Sequence, residues 1–404
     1  MTSSDLVFMS AVQAINITTR EKLMAFVKEH YSQQNAFCLA GSNQGQLAAG
    51  RSNFSLDFSG YGAVVDYVKS DLVISAESGL TVQALNEKLA EHGQWLPVDL
   101  PSSSLIDMVL SGDAGYLETG YGPVRSQVLG MEALWGSGKV LKSGGRVVKN
   151  VTGFDMNKLI VASRGHFALP LVVHLKLAAL PKTIASFAVS QGNAAELITL
   201  SQRLLASALP FMAMEIVELD PGEYQLLVQV GGPSEMVHDI GDQLIASSAL
   251  RTIDNETALA RLRTTGFPQA QGLELSASLS LMRGLVTRLK AVDGRLRLRP
   301  AMGRLFLEHE AVTNFDLDAQ LRTFESILRA TRESTDGSAL AGFESLALAA
   351  YRGVEVHSYR LGAAQPALSR LYGNIKAKFD PLGCFSPQVS FDFSGSLERS
   401  EHGR

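Results

Sequence analysis

The chain has 404 residues, 46% of them hydrophobic and 19% charged, with a formal net charge of -4. This balance excludes a disordered or membrane-embedded chain and gives no electrostatic footing for nucleic acid, while the length accommodates two domains, each with its own core. Cys38 and Cys384, far apart in the sequence, are the only cysteines, so there is no disulfide framework and too few thiolates to hold an iron–sulfur cluster.

The N-terminal stretch has neither a basic segment nor a long apolar run, which predicts a cytoplasmic chain without a transmembrane segment. Thr18 and Thr19 precede Leu23, Phe26 and Val27 at helical spacing, predicting a capped helix over "TTREKLMAFVKEHYSQQ". "AFCLAG" then reads as a short strand and "SNQGQLAAG" as a polar loop. "DLVISAES" is a second strand, and Thr81 caps a helix that carries Val82, Leu85 and Leu89 on one face and stops at Gly93. After Pro97 the chain becomes rich in Ser and Gly, with one short apolar helix inside. Two strands then flank "GSGK" at Gly136–Lys139. Ala133 and Val140 occupy the places where a phosphate loop needs Gly and Ser or Thr, so this is a hairpin turn.

"GGRVVKNVTGFDMNKL", Gly144 to Leu159, sets Arg146, Lys149, Asn150 and Asp155 among glycines. Asp155 is expected to cap the helix "MNKLIVAS". The strand "LVVHLKLAALP" ends at Pro181, a domain boundary. Beyond it, strands "TIASFAVS", "FMAMEIVEL" and "YQLLVQVGG" alternate with helices "AAELITLSQRLLASAL" and "SEMVHDIGDQLIASS", the order of an antiparallel sheet covered by helices. No two of the eight histidines share a helix face at ligand spacing, so no metal is expected. Arg295, Arg297, Arg299 and Arg304 alternate in strand-like sequence. They read as a solvated row on an exposed sheet face, with the alternative that one of them grips a carboxylate bidentately.

Three segments together resemble the FAD-binding flavoproteins of the vanillyl-alcohol-oxidase type, and among them the FAD-binding subunits of bacterial glycolate oxidases. These are "AGSNQGQLAAG" at Ala40 to Gly50, "DLVISAESGLTVQALNEKLAEHGQWLPVDLP" at Asp71 to Pro101, and the run from "PVRSQVLG" through "GGRVVKNVTGFDMNKLIVASRG" to "LKLAALP". The resemblance is strong over residues 36–182 and thin beyond.

It implies an α+β fold: a two-part FAD-binding domain over residues 1–182, an antiparallel-sheet cap domain covered by helices over 183–380, and a closing segment, 381–404, that returns to the FAD domain. It implies FAD held near Gly41, Ser42, Asn43, Gln44, Pro101, Ser102, Gly112, Gly115, Lys149, Asn150, Gly153, Ser163 and Gly165, and it names no catalytic residue. Small residues at the diphosphate loop make chemical sense, because backbone N–H groups must come close to anionic oxygens. The implied function is oxidation of a small 2-hydroxy acid, glycolate, to the 2-oxo acid, with a catalytic flavoprotein subunit and an iron–sulfur subunit as partners that also bring the chain to the periphery of the inner membrane. Two departures support the alternative of a structural subunit with weakened FAD binding. Ile106 and Asp107 stand where the family has paired glycines, and a carboxylate at about 5 Å from a phosphate costs roughly 3 kcal/mol at an effective dielectric of about 20. Ala168 replaces a loop glycine, and Pro170 removes a backbone donor. A stand-alone nicotinamide-dependent flavin reductase lacks support, since no Gly-x-Gly-x-x-Gly follows a strand.

Overall fold

The computed structural model describes residues 13–31, 33, 37–39, 54–145, 155–263, 271–276, 278–289, 294–309, 326–327, 347–352, 355–361, 366–380 and 389–395. The chain begins with a small parallel sheet in the order β1-β3-β2, made of β1 (Gln13–Asn16), β2 (Phe37–Leu39) and β3 (Phe54–Asp57). Helix α1 (Arg20–Tyr31) joins β1 to β2 and buries Leu23, Phe26 and Val27, the face its spacing predicts.

An antiparallel five-stranded sheet follows, built from β4 (Val64–Val68), β5 (Val73–Glu77), β7 (Val128–Trp135), β8 (Val140–Gly144) and β9 (Ala168–Lys176) in the order β4-β5-β9-β7-β8. Helix α2 (Val82–Ala90) follows β5. Its cap is Thr81, whose hydroxyl accepts the Ala84 N–H at 3.1 Å, and it buries Val82, Leu85 and Leu89. The short strands β6 (Gln94–Trp95) and β10 (Ala178–Ala179) pair with each other. Between β6 and β7 lie α3 (Leu105–Ser111), α4 (Glu118–Tyr121) and α5 (Val124–Gln127), and between β8 and β9 the single turn α6 (Asn157–Ile160). Asp155 does not cap α6. Met156, directly before the helix, is already in the right-handed helical region, so Asp155 sits one residue too early, and its carboxylate lies 3.6 Å from Lys158 Nζ instead.

The rest of the chain forms a ten-stranded sheet in the order β14-β11-β13-β12-β16-β17-β15-β18-β19-β20. Its strands are β11 (Thr183–Gln191), β12 (Phe211–Asp220), β13 (Glu223–Gly232), β14 (Arg251–Ile253), β15 (Gln271–Ser276), β16 (Arg295–Arg299), β17 (Arg304–His309), β18 (Ala347–Arg352), β19 (Glu355–Leu361) and β20 (Val389–Gly395). Every pair is antiparallel except β19 with β20. Helices α7 (Ala194–Ala206), α8 (Ser234–Ser247) and α10 (Leu279–Leu289) cover one face, sharing a core with Ile216, Leu226, Leu298 and Leu305. Helix α9 (Asn255–Arg263) packs its Leu262 on the opposite face. The fold is therefore α+β with a two-part first domain and a helix-covered antiparallel cap, the architecture that the resemblance implies.

Within the closing region, β20 joins the large sheet. It is the preceding helix, α11 (Pro366–Phe379), that lies against the first domain, with Phe379 ring to ring with Trp135 at 4.2 Å and Tyr372 with His166 at 4.8 Å.

Candidate functional site

Seven of the expected cofactor residues, Gly41, Ser42, Asn43, Gln44, Lys149, Asn150 and Gly153, lie outside the described residues. The structure brings three of the others together. The end of α3 and the loop after α6 are tied by Ala162 N–H to Val109 O and Arg164 N–H to Leu110 O, both 2.9 Å. Gly112 is the left-handed cap of α3, at φ +73°, and a Cβ there would lie 2.5 Å from Ala162 Cβ. Ser163 and Gly165 continue that loop. Gly115 is needed for a close approach to Asp99 O, and Pro101 and Ser102 sit exposed on the turn before α3. Gly112 and Gly115 are thus fixed by chain packing, whatever else they face.

Two features of this loop fit an extended dinucleotide. Ala162 and Arg164 hold left-handed backbone angles, φ +63° and +55°, a strain that non-glycine residues keep where the surroundings dictate it. The hydroxyl of Ser163 is buried with no hydrogen-bond partner among the described residues, as are Ser143 Oγ and Asn157 Oδ1 on either side of the 146–154 segment. Buried polar atoms without partners are costly, and a polar ligand threaded between these elements would satisfy them.

The departures from the family pattern resolve locally. Ile106 is absorbed into the core, with its N–H on Ser78 O at 2.7 Å. Asp107 accepts the Ser104 hydroxyl at 2.6 Å and returns its own N–H to Ser104 Oγ, a reciprocal cap of α3. Pro170 lies inside β9, where its missing donor coincides with a register shift against β7, and its carbonyl accepts the Ser78 hydroxyl at 2.7 Å. Behind the loop, Lys376 of α11 donates to His166 O at 2.8 Å and pairs with Asp380 at 2.6 Å. Burial, with Lys376 adding to it, pushes the His166 imidazole down to about 3, so it is neutral at physiological pH.

The expectation of solvated arginines fails. Arg295 is exposed, but Arg297 and Arg299 are each 6% exposed, because α9 covers Arg297 and accepts from it at the Arg261 and Leu262 carbonyls, while Glu118 of the first domain meets Arg299. Glu215, fully buried on β12, accepts from both Arg297 Nη1 and Arg299 Nε. Glu118 of α4 reaches across from the first domain to Arg299 Nη1 and Arg304 Nη1, each at 2.7 Å, and Glu274 on β15 takes Arg304 Nε and Nη2 at 2.5 Å. Phe306 lies beneath the Arg299 and Arg304 guanidinium groups, at 5.6 and 5.3 Å. Burial alone would raise the Asp113 carboxyl, yet Arg299, Arg304 and the Gly115 N–H outweigh it and hold it below the usual carboxylate range. On the same interface Arg263 grips Asp99 through Nε at 3.0 Å and Nη2 at 2.5 Å. The signal for this network was a glutamate inside the apolar run "FMAMEIVEL", whose arginine partners lie 82 and 84 residues further along the chain.

The fold is α+β, and residues 13–144 match the family described as the FAD binding domain, which gives FAD as the cofactor of this part of the chain. The chain is similar to the glycolate oxidase subunit GlcE of Escherichia coli (strain K12), 31% identical over 177 residues that cover 42% of this chain and 49% of that one. It is also similar to a probable mitochondrial D-lactate dehydrogenase of Danio rerio, 27% identical over 38% of this chain and 32% of that one. The chain thus matches at most about half the length of these relatives. Among solved structures, an alkyldihydroxyacetonephosphate synthase shares the fold, with a TM-score of 0.64 at 11% identity, covering 93% of this chain and 75% of that one. Among the described residues no helix is long and apolar enough to cross a membrane, and no cluster of His, Cys, Asp or Glu could hold a metal ion.

Proposed function

We propose that this chain is the FAD-binding subunit of a glycolate-oxidase-type complex, which oxidises a 2-hydroxy acid to the 2-oxo acid. The observation that carries the reading is the FAD binding domain over residues 13–144 in a chain 31% identical, over the matched region, to a glycolate oxidase subunit. FAD, when bound, supplies a two-electron acceptor. The chain's own part is to hold and shield it. The buried Ser163 hydroxyl and the backbone around Arg164 and Gly165 face the cofactor, α11 braces that loop through His166, and the cap excludes water from above. With Cys38 and Cys384 as its only cysteines, the chain hands electrons onward through other subunits, a catalytic flavoprotein and an iron–sulfur protein, which also account for any association with the inner membrane.

Affinity purification of the tagged chain from its native cell, with a visible spectrum and analysis of released flavin, tests this. About one FAD per chain, together with a second flavoprotein and an iron–sulfur protein, is the expected result. A colourless chain that takes up no added FAD overturns it.

A further inference from the structure

The cap face above the first domain carries a binding geometry that is already filled. Arg299 and Arg304 are cross-strand neighbours on β16 and β17, both pointing at the first domain with the ring of Phe306 beneath them. Their Nη1 atoms converge on a single oxygen, Glu118 Oε2, at 2.7 Å each. Two guanidinium groups meeting on one carboxylate oxygen over an aromatic ring is a recognition arrangement for a small carboxylate. Here the carboxylate belongs to the chain itself and arrives on a different domain from the arginines. Other donors of the pair are engaged by acidic partners as well, Arg299 Nε by Glu215 and Arg304 Nε and Nη2 by Glu274, and Asp113 lies 3.8 Å from Arg299 Nη1. Glu118 is held so deeply that its side chain is only 4% exposed.

We infer that Arg299 and Arg304 form a carboxylate clamp whose ligand in this chain is its own Glu118, so that this cap face does not take up a small hydroxy acid. If the Proposed function holds, on which only the identity of the excluded acid rests, acid binding in the complex belongs to another subunit. An incoming glycolate would have to displace an anion tethered at high effective concentration, and it would meet Asp113, Glu215 and Glu274 around the same arginines.

The test is titration of the purified full chain with glycolate and with oxalate, against sulfate at matched ionic strength, read by calorimetry and by the unfolding temperature. The wild type is expected to show no saturable uptake of either acid. Glu118→Ala is expected to unfold at lower temperature, to regain much of the loss with glycolate or oxalate but not with sulfate, and to take up oxalate saturably where the wild type does not. Saturable, stabilising uptake of either acid by the wild type overturns the inference, and so does a folded Glu118→Ala that gains nothing. Should Glu118→Ala fail to fold, Glu118→Ser, which leaves the same space with a polar lining, takes its place under the same criteria, and the wild-type titration stands regardless. FAD content is measured on the same samples. A flavin-free chain that follows the expected titrations defeats the functional reading while leaving the clamp intact.

Discussion

The two faces of the ten-stranded sheet use the same strands to opposite ends. On β12 and β16 the alternate residues Met214, Ile216, Leu296 and Leu298 enter an apolar core beneath α7, α8 and α10. Between them, Glu215, Arg297 and Arg299 face the first domain as a nearly dry ion network. Period-two alternation produces both faces at once, because successive side chains leave a strand on opposite sides. An apolar face is stabilised by area and tolerates changes of shape, whereas a buried ionic face depends on partners, since each charge is costly once its opposite is removed.

The largest expected effect follows from that dependence. Glu215→Ala leaves the Arg297 and Arg299 guanidinium groups short of their shared carboxylate in a buried site and should cost about 3–5 kcal/mol in denaturant unfolding. The comparison is sharpened by replacing both sides. Glu215→Leu combined with Arg297→Met should recover part of that loss, because Arg299 keeps its bond to Glu118 while an apolar group replaces the guanidinium that lost its carboxylate. A double variant as unstable as Glu215→Ala would show that the charges stabilise in their own right. On the other face, Leu226→Ala, at a fully buried position in the core under the helices, should cost about 2–5 kcal/mol and gain nothing from a second truncation nearby.

The difference between the faces also explains what could be read in the sequence. The helix ends at Thr81 and the apolar runs of β9, β12 and β13 were legible because capping and burial depend on local pattern. The Gly136–Lys139 turn was legible for the same reason, and the first domain carried motif segments as well. The arginine row was misread because strand alternation says only that Arg297 and Arg299 share a side. Which side is covered is decided for Arg297 by the carbonyls of α9, and for Arg299 by Glu118 and Asp113, more than a hundred residues away and in another domain. The departures at Ile106, Asp107 and Pro170 were visible, but their consequence depended on Ser104, Ser78 and the β7 register, which are tertiary facts. Asp155 failed as a cap over a single residue, the usual margin for a helix boundary.

A third environment, under α11, tests how far an apolar setting controls charge. Burial, with Lys376 adding to it, holds the His166 imidazole down to about 3, against 6.5 for the free side chain. A depressed histidine is neutral in the folded chain while the unfolded chain takes up a proton, so the stability tied to it is full above pH 6.5 and declines as pH falls from there toward 3. At pH 5 the loss should be about 2 kcal/mol. Urea unfolding of His166→Phe should lose this part of the slope between neutral pH and pH 5. An unchanged slope would mean that His166 charges inside the fold. Where the domains meet without charge, Gly120 of α4 lies so close to β12 that a Cβ would fall 2.5 Å from Phe211 O. Gly120→Ala should therefore cost about 1–3 kcal/mol by prying the interface apart, with the first domain's own secondary structure unchanged by circular dichroism.

The smallest expected effect separates depth from geometry. Arg263 and Asp99 cross the same domain boundary as the buried network, with bidentate geometry as good as any in it, but the arginine side chain is 50% exposed. Water and salt then screen the pair, and the entropy of the freed side chain offsets part of what is lost. Arg263→Ala should cost only about 0.2–1 kcal/mol, and the deficit should shrink further as sodium chloride is raised. Equal costs for Arg263→Ala and Glu215→Ala would mean that the ionic face is held by geometry alone, and burial would cease to be what distinguishes it.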